Sequence, residues 1–386
     1  MPIRQNRVLL ALAYYEHRMH LGAVRYARES NWILDTRMAH YGTPPEYWEG
    51  EGILTVVLPD RPDLIRYLRK KKVPIVGLTA ELEDIVSARV VLDNFRMGEI
   101  AAEHLIERGF RNLAFYKCTD YTDIQNREAG FAAAVEEAGL DYMCLDWHAV
   151  SRKNPRRELM DWLTRQLRDL PKPLAIMAQS DHRAYSLVNA CELADLSIPE
   201  EVALVGVDND EYTCEFAPVP ITSVDSNREE LAYRGAVVLD ELMQGKSVSS
   251  EPIIVPPIGL VVRRSSDILA IEHPEVSRAL SFIWQHYRQR IGVDDVVAAT
   301  TVSRCGLYRA FEKYVGRTIR EELERKRMEH AQRLLLTSPS KVSHIARQSG
   351  FSSGEQFCRA FARTTGSTPS EFRKRGHTNF NGSSRN

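Results

Sequence analysis

The chain has 386 residues, 44% hydrophobic and 27% charged, ordinary globular values that exclude a disordered or fibrous protein, and its length calls for two or more domains. The net charge of −1 hides two opposed parts: from His273 onward there are 20 Lys and Arg against 10 Asp and Glu, and before it 31 against 42. That asymmetry points to a tail that meets a polyanion and a body that does not. No apolar run reaches the roughly 18–20 residues of a membrane span, no cleavage pattern precedes Glu16-His17-Arg18, and the six cysteines form no C-x-x-C pair. A cytoplasmic protein without disulfides, structural metal or membrane contact is therefore expected.

In chain order, β-rich apolar runs occur at Arg7–Tyr14, Gly52–Leu58, Val73–Leu78, Arg89–Asp93, Asn112–Cys118 and Tyr142–Trp147. They continue at Leu174–Ser180, Val202–Val207, Ile221–Val224 and Ile253–Val262. Amphipathic stretches lie between them, among them Gly98–Arg108, Arg127–Ala138, His182–Ala194 and Arg228–Gln244. This alternation predicts parallel α/β sheets covered by helices on both faces. Ten strands in about 260 residues fit two lobes better than one sheet. The expected fold is thus a two-lobed α/β domain over residues 1–268.

Ligands of open α/β sheets sit beyond the carboxyl ends of the strands. Tyr15 and Glu16, Asp93 with Asn94, Asp181, Asp208 with Asn209, and Asp225 all follow a strand, and Arg127 opens a helix after one. Carboxylates, amides and a guanidinium fork suit vicinal hydroxyls, so the set Tyr15, Glu16, Asp93, Arg127, Asp181, Asp208 and Asn209 predicts a small polyol such as a sugar. Several of the same residues also suit helix N-caps, Asp181 and Asp225 above all.

The tail writes one element twice. Ser303-Arg304-Cys305-Gly306-Leu307-Tyr308-Arg309-Ala310-Phe311 and Ser353-Gly354-Glu355-Gln356-Phe357-Cys358-Arg359-Ala360-Phe361 coincide at an offset of fifty in Ser and in Arg-Ala-Phe. Gly316 with Gly366 and Thr318 with Thr368 keep the same offset. Each copy opens on a capping Ser, closes on a Gly suited to the C′ position, and follows a shorter helix and a tight turn. Short helix, turn, longer helix is the helix-turn-helix layout, whose second helix enters the major groove. Ile319, Leu323, His330, Ala331 and Leu335 imply one long connecting helix. The expected layout is an all-α double helix-turn-helix domain over 269–376 and a disordered tail over 377–386.

Two resemblances follow from these residues. Val90-Val91-Leu92-Asp93-Asn94 through Gly98, Val205-Gly206-Val207-Asp208-Asn209 with Ile221-Thr222-Ser223-Val224, and the run Ile254–Ser266 resemble the sensor domain of lac-repressor-type regulators. That resemblance implies a periplasmic-binding-protein-like fold whose two lobes close on a sugar, with Arg127 and Asp208 among its contacts. No headpiece of the lac-repressor type is expected, since the chain starts at the first strand. Phe351-Ser352-Ser353, Phe357 with Arg359-Ala360-Phe361, Gly366, Thr368-Pro369 and Phe372-Arg373 resemble the AraC-type DNA-binding domain. That likeness implies two recognition helices in adjacent major grooves of double-stranded DNA. Ser303, Arg304, Tyr308 and Arg309 in the first, and Ser353, Gly354, Glu355, Gln356 and Arg359 in the second, would face the operator.

This order of domains is similar to that of bacterial xylose-responsive regulators. It implies a cytoplasmic homodimeric activator with D-xylose as effector and RNA polymerase as a partner, without cofactor, metal or catalytic residues. Another pentose or hexose is the alternative effector. Of other classes, a sugar-binding enzyme would need paired acids or a nucleophile, and the chain has no G-x-S-x-G, H-E-x-x-H or P-loop. A secreted transport binding protein would need a signal peptide and no DNA-binding tail.

Overall fold

The computed structural model describes residues 5–150, 155–268, 270 and 273–374; the residues expected to form a disordered tail lie outside these. The chain divides into two compact units, Met1–Glu103 with Asn112–Asp267, and His104–Arg111 with Ile268–Asn386.

The first unit holds two six-stranded sheets. Strands β1 (Arg7–Leu12), β2 (Ile33–Asp35), β3 (Gly52–Val56), β4 (Ile75–Gly77), β5 (Ala88–Leu92) and β11 (Ile253–Val255) form one, in the order β11-β5-β4-β3-β1-β2. The other contains β6 (Asn112–Lys117), β7 (Tyr142–Asp146), β8 (Leu174–Ala178), β9 (Val202–Val207), β10 (Thr222–Asp225) and β12 (Gly259–Val261), ordered β12-β10-β9-β8-β6-β7. Every pairing is parallel except β10 with β12. The central strands β3, β8 and β9 are buried along their whole length, which is why they read as unbroken apolar runs rather than as alternation.

The helices that begin in this unit are α1 (His17–Glu29), α2 (Arg37–Tyr41), α3 (Pro62–Leu68), α4 (Asn94–Glu107, its last turn from His104 counted with the second unit), α5 (Thr122–Glu137), α6 (Trp147–Val150), α7 (Pro155–Asp169), α8 (Asp181–Ala194), α9 (Glu211–Phe216) and α10 (Arg228–Met243). Helices α1 and α10 pack on each other so closely that a Cβ at Gly22 would meet the Glu229 carbonyl at 2.0 Å. In the other lobe α4 meets α5 in the same manner, since a Cβ at Gly130 would lie 1.9 Å from the Phe95 carbonyl. The chain passes between lobes three times: after β5, between β10 and α10, and between β11 and β12. The single strand expected over Ile253–Val262 is thus two strands in two sheets. Pro256 and Pro257 lack the N–H that a continuous strand would donate, and they separate the two pieces. Strand β2 was missed because three residues show no periodicity.

The second unit contains α11 (Pro274–His286), α12 (Val293–Ala298), α13 (Arg304–Val315), α14 (Ile319–Thr337), α15 (Val342–Gln348) and α16 (Gly354–Thr365). Two small cores flank α14. Leu280, Ile283, Val296, Leu307, Phe311 and Leu323 build one; Met328, Leu335, Ile345, Phe357 and Phe361 build the other. The buried Glu322 carboxylate accepts from Trp284 Nε1 at 3.0 Å and from Arg325 at 2.8 and 2.9 Å, fastening α14 to α11. No helix among the described residues is long and apolar enough to cross a membrane.

Candidate functional site

Polar groups beyond the carboxyl ends of strands in both sheets are held by one another. Arg127 is the sixth residue of α5 rather than its opening, and it is 4% exposed. Its Nη1 donates to the Gln179 carbonyl, its Nη2 to Asn94 Oδ1 at 2.6 Å, and its buried Nε has no partner among the described residues. Asn94 Nδ2 in turn donates to Asp123 Oδ1 at 3.0 Å. Burial lowers the Arg127 pKa from its ordinary value against the pull of Asp208, and burial raises that of Asp123.

Asp208 is the hub of the facing side. Its Oδ1 accepts from Arg228 Nε at 2.9 Å, Arg228 Nη2 at 2.7 Å and Ser226 Oγ at 3.1 Å, and its carbonyl accepts from Arg18 Nη2. Arg228 Nη1 also reaches the Tyr14 hydroxyl at 2.8 Å. Burial opposes the charge on Arg228, yet Asp208, Tyr14 and Glu16 hold its guanidinium well above the ordinary value. Arg18 and Arg228 belong to the first lobe and Asp208 to the second, so these contacts bridge the lobes. Asn209 Nδ2 donates to Asp225 Oδ2 at 3.0 Å, and Arg263 Nη2 donates to Asn209 Oδ1 at 2.9 Å.

The remaining expected residues separate by what they touch. Glu16 accepts from Met19 N at 2.7 Å and Asp93 from Arg96 N at 3.0 Å, so both cap helices. Tyr15 is half exposed and its hydroxyl meets His20 Nδ1 at 3.3 Å. Asp181 and Asp225, the best cap candidates by sequence, cap no helix: Asp225 takes Arg18 at 3.3 Å, and Asp181 is spent on the loop after β9. Arg18, Asn94, Asp123, Gln179 and Arg228 were not among the expected contacts. A signal existed for Arg228 and Arg18, because a cation in the first turn of a helix opposes the helix dipole and needs a partner elsewhere.

In the second unit the repeat is reproduced in geometry. Ser303 Oγ accepts from Gly306 N at 3.2 Å and Ser353 Oγ from Gln356 N at 3.1 Å. Both helices end on a left-handed glycine, Gly316 at φ 74° and Gly366 at φ 66°, where a side chain would be strained. Thr318 with Glu321 and Thr368 with Glu371 then form two reciprocal capping pairs, again fifty residues apart. Leu307 and Phe311, and Phe357 and Phe361, are buried, so the opposite faces project outward. Ser303, Arg304, Tyr308, Arg309, Ser353, Gly354, Glu355, Gln356 and Arg359 are all exposed. Gln356 Oε1 accepts from Ser352, Glu355 pairs with Arg359 at 3.2 Å, and Arg304 pairs with Asp294 at 2.6 Å. Among the described residues no group of His, Cys, Asp and Glu is placed to hold a metal ion.

Residues 102–266 match the family of periplasmic binding protein-like domains, and residues 296–375 match a helix-turn-helix domain. The chain is 29% identical over 336 residues to the xylose operon regulatory protein of Escherichia coli K12, covering 84% of each. To the protein of that name from Haemophilus influenzae it is 30% identical over 291 residues, 74% of each. The solved structure of a xylose-binding transcription activator is similar at a TM-score of 0.59 and 26% identity, covering 97% of this chain and 99% of that one.

Proposed function

Since the chain belongs to the family of transcriptional regulators that join a periplasmic-binding-protein-like sugar domain to an AraC-type helix-turn-helix domain, we propose that it is a D-xylose-responsive activator of sugar-catabolism genes. It is a regulator and not an enzyme. In this reading the sugar lies between Arg127 and Asp208, in the cytoplasm, and a homodimer places four recognition helices on paired operator half-sites near RNA polymerase. The observation that carries it is the buried Arg127 Nε, a donor without a partner among the described residues, beside groups that hydrogen-bond one another. A buried unsatisfied donor costs about 1–3 kcal/mol, which a sugar hydroxyl would recover on binding. The names of the relatives support xylose among the sugars.

The mechanism rests on the bridges between lobes. Arg228 with Asp208, and Arg18 with Asp225, exist only when the lobes are together. A sugar held by both lobes favours that state, and it biases DNA binding only by its differential affinity for it. Arginines on α13 and α16 suit guanine, Gln356 adenine and Glu355 cytosine, while Ser303 and Ser353 suit phosphate.

Calorimetric titration of the full chain with D-xylose, L-arabinose, D-ribose and D-glucose tests the sensor half. D-xylose alone binding, with binding lost in Arg127→Ala and Asp208→Ala, is the expected result. A different sugar would replace xylose in this reading, and no sugar binding while DNA still shifts in a gel would overturn the sensor half and leave the DNA-binding half.

A further inference from the structure

Two consecutive non-glycine residues at the centre of the cleft have positive φ, Asp208 at 110° and Asn209 at 52°. Asn209 tolerates the left-handed region, but φ near 110° is strained for Asp and persists only where the surroundings impose it. What imposes it is one buried carboxylate. Asp181, 2% exposed, accepts from Asp210 N at 2.8 Å through Oδ2 and from Ser223 Oγ at 2.6 Å through Oδ1. Ser223 Oγ itself accepts from Asn209 N at 2.9 Å. The amides of 209 and 210 are thus both tied to Asp181, one directly and one through a hydroxyl, while Asp208 N is tied to the Val224 carbonyl at 2.9 Å. The room for the acid is made by Gly206, where a Cβ would lie 2.1 Å from Asp181 Oδ1.

We infer that Asp181 is a positioning residue for the effector site: it touches no sugar, and its carboxylate brackets the 208–210 loop so that Asp208 is presented to Arg228 and to the ligand. The inference rests on the sugar reading of this cleft. It places a further group in control of affinity, because a bracket made of three hydrogen bonds needs an acceptor on both oxygens. The groups facing Asp181 are Asp208 and Asp210 from the loop, Cys214 from α9, Ser223 from β10, and the backbone of Gly206 from β9; Arg263 stands beyond, against Cys214 and Asn209. The Cys214 thiol adds a third donor to the acid. Burial, then the Asp208 carboxylate, push Asp181 up to about 7. Below that pH one oxygen carries a proton: on Oδ2 it faces the Asp210 N–H, which can only donate, and on Oδ1 it is accommodated only if the Ser223 hydroxyl turns round to accept it. The raised value also means that ionising Asp181 opposes folding, so stability contributed by the protonated acid is lost as pH rises towards 7. The fraction that is ionised at neutral pH serves the loop at the expense of the fold.

The test is titration calorimetry of the full chain with D-xylose, L-arabinose and D-ribose at pH 8 and pH 6, for the wild type and Asp181→Asn, with thermal unfolding at pH 8 alongside. The sugar that binds should lose about tenfold in affinity between pH 8 and pH 6 in the wild type, as one proton is taken up with a midpoint near 7. Asp181→Asn should bind at least tenfold more weakly at pH 8, show no slope over that range, and unfold no earlier than the wild type. An Asp181→Asn protein with wild-type affinity, or with the wild-type slope, overturns the inference. Should Asp181→Asn fail to fold, Ser223→Ala takes its place, with weaker binding and a retained slope expected and unchanged affinity overturning it. If no sugar binds the wild type at either pH, the sugar reading fails, and amide exchange of residues 206–216 at pH 8 decides the bracket alone. Faster exchange in the variant upholds it; equal exchange overturns it.

Discussion

Arg228 places both Nε and Nη2 on the single oxygen Oδ1 of Asp208, at 2.9 and 2.7 Å, and in doing so ties the first residue of α10 to the loop after β9. Arg228 sits where the helix dipole disfavours a cation, and both side chains are more than four-fifths buried. Each is tolerated because of the other, and the pair joins the two lobes at the position proposed for the sugar.

Removing one member therefore differs from neutralising the other. Arg228→Ala leaves a buried carboxylate without its cation and costs about 3 kcal/mol or more, read as a lower unfolding midpoint in urea. Asp208→Asn keeps an acceptor for Arg228, so the midpoint should fall less while calorimetric sugar affinity drops at least tenfold.

On the DNA side, Arg359 is three-quarters exposed and pairs with Glu355. Arg359→Ala should lose about 1–3 kcal/mol of discrimination at one base pair and leave binding to the other positions intact. A gel-shift series on operators mutated one pair at a time separates this from the uniform weakening expected of a phosphate contact.

The duplicated capping pairs predict duplicated costs. Thr318→Ala and Thr368→Ala each remove the side-chain oxygen that accepts from the amide three residues on, worth about 1 kcal/mol apiece. The double variant should show the sum in thermal unfolding, since the two caps share no partner.

Glu322 supplies a pH prediction. Burial alone would raise its pKa, but Arg325, Lys326 and Trp284 Nε1 bring it down to about 2 from an ordinary 4.5. A depressed acid contributes stability above its unfolded value and loses it as pH falls through the folded one. Glu322→Gln should be about 3 kcal/mol less stable than the wild type at pH 7, and the two unfolding curves should converge between pH 4.5 and pH 2.

Much of this was legible along the chain. Strands β3, β8 and β9 announce themselves as apolar runs, and the two helix-turn-helix copies are spelled out by Ser, Gly and Thr at fixed offsets, because caps and periodicity are properties of a few neighbouring residues. The position of Asp208 directly after β9 was legible, while Arg127 lies a turn and a half inside α5 and not at its opening. Asp181 reads both as a ligand contact and as an N-cap, and it bonds the Asp210 amide and the Ser223 hydroxyl; Glu16 and Asp93 read as ligand contacts, and each caps a helix. Nothing local distinguishes these uses, as each is an acid at the start of a helix.

The sequence by itself determined the two-part organisation, the α/β alternation and the twin recognition helices, each the product of short-range sterics, hydrogen bonding and hydrophobic period. Only the tertiary structure decided which polar groups meet. Arg228 lies 20 residues from Asp208 and Ser223 lies 42 from Asp181, and the breaks at Pro256 and Pro257 send one apolar run into two sheets. The first of those pairings joins the two lobes and the second joins two elements of one lobe, and hydrogen-bond geometry there is set by distances in space that residue order does not carry.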